Sequence, residues 1–224
     1  MRLLTAIGLS ASAFSALILA IPAPERAAFT STGSPEQGFK IPKRTLPGIY
    51  KVTFDDEGVA HHVKLRDMPT DVSRRTVDSR DAVNETIALR ERDTTLDIVC
   101  TGEELDSESV DIVVRRMYQA CGPGDSIAPD VHLYAIDGQV VAFDCNFSAD
   151  WIFCGDYRYE YIFQEEIPGK CGRRNAGWAQ YSDPAHSVGM HNWLPEEQRP
   201  WSPDGGAYFC GRDHDAYIDV NGPT

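Results

Sequence analysis

The side chains with the most chemistry to offer are six cysteines: Cys100, Cys121, Cys145, Cys154, Cys171 and Cys210. Thiolates bind metal or close disulfides, and spacing separates the two uses. Structural zinc sites draw on pairs only about two to four residues apart. The shortest interval here runs from Cys145 to Cys154. No metal or other cofactor is therefore expected, and disulfides are. Six cysteines admit many pairings, and spacing does not choose among them. A ribonuclease-like hydrolase would need histidines, a carboxylate and an arginine converging on a phosphate. His186, His191, His214, Glu160 and Arg173-Arg174 supply those types, without a spacing that marks one site. The G-x-S-x-G of a nucleophile elbow does not occur. Two of the many carboxylates could serve a glycosidase, whose chemistry depends on a separation that sequence does not show.

Aromatic residues offer stacking surfaces. Trp151, Tyr157, Tyr159, Tyr161, Trp178, Trp193 and Trp201 could hold sugars, but most such side chains belong in a core. Trp193 and Trp201 lie in or beside a proline-rich loop, so they are expected to be exposed anchors for a partner. Asn84-Glu85-Thr86 and Asn146-Phe147-Ser148 are N-glycosylation acceptors.

The environment of these groups follows from the first residues. A short basic start precedes an uncharged apolar run from Leu3 to Ala20, and Ile21-Pro22-Ala23-Pro24 ends it. This reads as a signal peptide, residues 1–20, and implies secretion to an oxidising compartment. No second apolar run follows, so no membrane span is expected. Residues 21–92 read as a leader. They carry the dibasic Lys43-Arg44 and the run Leu89-Arg90-Glu91-Arg92, so processing after Arg44 or Arg92 is expected. Residues 93–224 then form a cysteine-rich domain with an acidic C-terminal tail.

Charge divides at the same place. Residues 1–92 hold 13 Lys and Arg against 11 Asp and Glu; residues 93–224 hold 8 against 23. A domain at −15 repels polyanions, so nucleic acid is not an expected partner.

Periodicity supplies the elements. Within the leader, Tyr50, Val52 and Phe54 alternate, Asp55-Asp56-Glu57-Gly58 turns, and Val63 and Leu65 return, predicting a β-hairpin over 48–65. His61 and His62 are adjacent on its second strand and should face opposite ways, which argues against a shared metal. Thr101-Gly102-Glu103-Glu104 fits a capping box. Val110, Val113, Val114, Met117 and Cys121 follow a helical period, with Arg115-Arg116 near the C-terminus as the helix dipole prefers. Asp137-Gly138 between two apolar runs predicts a second hairpin, whose returning strand, Gln139 to Cys145, is apolar on both faces and thus interior. Residues 156–167 are predicted as a helix stopped by Pro168-Gly169. Strands are expected near Ala176–Tyr181 and Ser187–Trp193. The economical solution is α+β: two helices packed on one face of a small antiparallel sheet, stapled by disulfides.

These residues carry a resemblance. Tyr134-x-x-x-Gly138-x-Val140-Val141-Ala142-Phe143-x-Cys145-Asn146, Lys170-Cys171-Gly172-x-x-x-Ala176-Gly177-Trp178, Gly189 and the terminal Phe209-Cys210 resemble a family of small cysteine-rich secreted proteins of filamentous fungi. The hairpin from Gly48 to Leu65 looks like their N-terminal part. The layout of helices, strands and cysteines is also similar to killer-toxin-like and necrosis-inducing effectors. It departs from them in an insertion around Pro195–Asp204 and in its cysteine count. Together, the signal peptide, the processing sites, the cysteine layout and the absence of a catalytic motif point to a secreted, monomeric, non-enzymatic effector or virulence-type protein, with a ribonuclease-like or other secreted hydrolase as the alternative. It would act outside the producing cell on a protein or glycan of a host or competitor.

Overall fold

A computed structural model describes residues 28–42, 45–66, 94–121, 126–193 and 208–211. The expected signal peptide, Arg44, Asn84, Arg92, Trp201 and His214 lie outside the described residues. The chain begins with β1 (Ala28–Ser31), β2 (Gly33–Ser34), β3 (Gly38–Lys40), β4 (Gly48–Phe54), β5 (Ala60–Arg66) and β6 (Thr94–Glu104). Helix α1 (Ser107–Ala120) follows, then β7 (Ser126–Ile127), β8 (Val131–Asp137), β9 (Val140–Asn146) and β10 (Ile152–Phe153). A helical segment runs through α2 (Asp156–Tyr161), a π-helical turn (Ile162–Glu166) and α3 (Ile167–Cys171). The last strands are β11 (Asn175–Asp183), β12 (Ala185–Asn192) and β13 (Tyr208–Phe209).

Eight strands make the main sheet, in the order β1-β5-β4-β8-β9-β12-β11-β6, and every pairing is antiparallel. The central β8–β9 hairpin forms where Asp-Gly predicts it. Asp137 pairs with Val140, so Gly138 and Gln139 are the loop. Gly138 has φ +52°, the left-handed backbone such a two-residue turn requires. Alternation sends Leu133, Ala135, Val140 and Ala142 to one face, and Tyr134, Ile136, Val141, Phe143 and Cys145 to the other. The first face packs on Val113, Val114 and Met117 of α1 and on Tyr159, Ile162, Phe163 and Ile167 of the helical segment. The second is covered by Phe39, Ile41 and Phe209.

The structure corrects the expected two-helix sandwich on a small sheet: the fold is mostly antiparallel β. Two stretches read otherwise enlarge the sheet. The hairpin assigned to the leader puts β4 beside β8, with Tyr50 opposite Tyr134 and their rings stacked at 4.9 Å. Thr94–Glu104 is a strand rather than a helix start, paired with β11. The physical reason lies in β8. Its backbone needs a ladder on both edges, and β9 satisfies only one. The second apolar face likewise needs its own cover, which comes from β3 and β13.

Local corrections follow. The cap of α1 is Asp106, whose carboxylate accepts the Ser109 N–H at 2.9 Å. Thr101 instead uses its hydroxyl within the strand end, accepting the Glu103 N–H. Arg116 is no mere C-terminal complement to the helix dipole. It is buried, donating to the Ile136 carbonyl and to Asp137 Oδ1 at 2.7 Å, and so locks α1 to the β8 turn. The helix over 156–167 forms but runs on through Pro168-Gly169 to Cys171, with Pro168 at the start of α3, where its missing N–H is tolerated.

The cysteines pair Cys100–Cys171, Cys121–Cys154 and Cys145–Cys210. They tie β6 to α3, the end of α1 to the β10 region, and β9 to the strap at β13. Two of them are buried on both sides, whereas Cys100 is exposed and Cys171 half-buried. Thiol–disulfide exchange requires access. Under mild phosphine reduction, Cys100 and Cys171 should alkylate first, with Cys145–Cys210 and Cys121–Cys154 intact. Peptide mapping checks this, and simultaneous loss of all three bridges would contradict it.

Candidate ligand site

Several expected site residues are placed where they cannot act as expected. Trp193 is buried, and its indole N–H donates to the Ile41 carbonyl at 3.3 Å, so it belongs to the second core rather than to a partner surface. Among the described residues, the exposed tryptophan is Trp151, 66% accessible, on the loop between β9 and β10. Asn146 is fully buried. Its Nδ2 donates to the carbonyls of Ile127, Ala128 and Asp150 at 2.9–3.1 Å, and its Oδ1 accepts from Ser148. A glycan on Nδ2 would displace those bonds, so the folded chain has no room for one. The sequence pattern describes an acceptor; the fold uses it to hold the 147–151 loop to residues 127–128.

The histidines do not converge. His186 and His191, five residues apart on β12, face opposite sides of the sheet. His186 stacks on Tyr181 at 4.2 Å and meets Arg158. His191 lies near Phe209 and is 3.7 Å from Glu103. Glu160, Arg173 and Arg174 are exposed. One grouping that sequence reading missed does resemble a nucleophile with its base. Ser31 Oγ is 2.8 Å from His62 Nε2, and Tyr134 Oη is 3.2 Å from His62 Nδ1. Its chemistry is poor, however. Phe29 stacks on the imidazole and Phe39 meets it edge-on. Burial, aided by His61, pulls the His62 pKa down to about 4, and no carboxylate stands by to hold an imidazolium. Ser31 and Tyr134 satisfy a buried ring. The cluster His132, Cys145 and Cys210 is no metal site either, because the two sulfurs are bonded to each other.

An open cleft of about 230 Å³ lies at one end of the sheet. Antiparallel order brings together the end of β4, the start of β5, the start of β8 and the end of β9. Phe54, His132 and Phe147 form its floor, with His132 5.7 Å from Phe54 and 5.6 Å from Phe147, centroid to centroid. His132 is buried, while both phenylalanines are half-buried. Glu36, Asp56 and Asp130 are exposed on the rim. Asp55 also lines it: it accepts the Glu57 and Val59 N–H groups and meets His61 at 2.7 Å, and this pairing lowers its pKa. Of these residues, Phe54 and the 55–58 turn carried a sequence signal, as parts of the expected hairpin. His132 comes from β8, and Glu36, Asp130 and Phe147 come from separate loops that only the sheet brings together.

No protein-family model matches this chain, and no curated protein and no solved structure matches it. Among the described residues, no helix is long and apolar enough to cross a membrane.

Two outcomes follow. His62 and His186 are held neutral, with pKa values of about 4 and about 3, chiefly by burial. Unfolded, both protonate near pH 6.5, so the unfolded chain takes up protons that the folded one refuses. Stability should therefore be full above about pH 6.5 and fall on acidification, by on the order of 3 kcal/mol per histidine by pH 3–4. Urea midpoints at pH 7 and 4.5 check this, and His62→Gln should flatten the dependence. Separately, peptide mass mapping of the purified protein should find Asn146 unmodified, and Asn146→Ala should cost roughly 1–3 kcal/mol by orphaning buried carbonyls.

Proposed function

We propose that this chain is a secreted, disulfide-stapled protein that acts outside the producing cell by binding a host or competitor target, without turnover. The observation that carries the reading is an open cleft at one end of the sheet, one of whose lining residues shares a loop with an exposed tryptophan. Phe147, in the cleft floor, and Trp151 lie on the same β9–β10 loop, and the buried Asn146 holds that loop to residues 127–128. An exposed large aromatic on a fixed loop is the usual anchor of a binding surface. Three closed disulfides are compatible with an oxidising, extracellular setting. The resemblance to secreted fungal proteins supports host tissue or competing fungal cells as the place to look. The candidate residues of a ribonuclease-like hydrolase among the described part, His186, His191, Glu160, Arg173 and Arg174, give that alternative no assembled site.

The test uses the full secreted chain, fluorescently labelled and applied to intact host tissue and to competitor cells. Saturable surface binding is expected, and Trp151→Ala should weaken it by roughly tenfold or more, as loss of an aromatic anchor does. Equal binding by both proteins would remove the reading.

A further inference from the structure

We infer that the cleft receives a single organic cation, the guanidinium or ammonium group of a basic protein partner. This rests on the binding reading above and names its ligand. The floor and rim carry the argument together. Phe54 and Phe147 are half-buried rings flanking the buried His132, and ring faces attract cations by their quadrupole. Glu36, Asp56 and Asp130 line the same cleft with exposed carboxylates. An aromatic floor under an acidic rim suits a cation with an apolar stem, which buries methylenes against the rings and keeps its charged head among oxygens. A metal ion fits worse, since it needs about six or more oxygen ligands and the floor offers none. The volume, about 230 Å³, is below the range of roughly 300–1,000 Å³ typical of pockets for free small molecules. It matches one side chain projected from a larger surface. The chain's net charge of −13 would draw a basic partner in, and Trp151 on the neighbouring loop would then anchor it.

The test is a titration of the ¹⁵N-labelled full secreted chain with N-acetyl-arginine-methylamide, followed by amide shifts. The neutral isostere N-acetyl-citrulline-methylamide and calcium chloride run beside it. The arginine probe should move the amides of Gly58, Val59, Val131 and Ser148, and citrulline should not. Asp56→Asn with Asp130→Asn should weaken binding about tenfold or more, on the scale of charge-assisted hydrogen bonds. Phe147→Leu should weaken it with charge unchanged. Asp97→Asn with Asp111→Asn removes the same charge from exposed positions elsewhere and should leave affinity unchanged. The proposal is overturned if citrulline binds as well, if calcium alone moves these amides, if the shifts fall elsewhere, or if the remote pair weakens binding equally. Loss of the arginine response with Trp151-dependent surface binding intact would reject the cation and keep the binding reading. Loss of both would reject both.

Discussion

A hairpin that is apolar on both faces must be covered twice, and the β8–β9 pair sets that requirement here. Tyr134 and Phe143 point one way and Ala135 and Ala142 the other, all of them buried. One cover is α1 with the helical segment; the other is the small layer of β3 and β13. Chain segments far apart in sequence are recruited as a result. Phe39 and Phe209 meet only because each shields the same face. Gly38, at φ +82°, lies so close to the 209–211 backbone that a Cβ there would collide with it. The Cys145–Cys210 bridge then fixes that strap to the central strand.

Burying so much sheet also traps polar groups, and several are answered locally. Arg116 finds Ile136 and Asp137, Asp144 accepts from Tyr159, Asn146 holds three carbonyls, and His62 lies between Ser31 and Tyr134. Buried polar groups cost far more unpartnered than they gain when partnered. These contacts therefore specify register and loop position more than they add stability. They also account for the buried imidazoles of His62 and His186, each stacked on an aromatic ring. The cleft opens at the loop end of the sheet, where Asn146 holds the loop that carries Phe147 and Trp151.

Much of the local structure was legible in the sequence. The 3.6-residue spacing of Val113, Val114 and Met117 gave the buried face of α1, and the alternation of Tyr50 and Val52 gave a strand. His61 and His62 diverge as adjacent strand residues must: His61 is open to solvent and His62 sealed. What misled were patterns that encode a possibility rather than a position. Thr-x-x-Glu can cap a helix, but here Thr101 ends a strand. Asn-x-Ser can take a glycan, but the same short polar side chains also make turns, and burial decided the matter. Trp193 next to a proline-rich loop looked exposed, yet its indole found a carbonyl on the covering layer. The cleft was illegible because its carboxylates belong to loops with no common period.

Sequence by itself determined local periods: the helical face through Val113 and Met117, the alternation of Tyr50 and Val52, the Asp137-Gly138 turn, and cysteine intervals too long for a zinc site. Those properties depend on neighbours within a few residues and on backbone geometry, so a linear reading captures them. Tertiary structure alone decided the partners. It chose which cysteines pair, placed the 48–66 hairpin within the main sheet, gave that sheet two cores, buried Asn146 and Trp193, and assembled Glu36, Asp56 and Asp130 over an aromatic floor. Those outcomes depend on edges and faces that must be satisfied by segments tens of residues away, and no local pattern specifies which segment will do so.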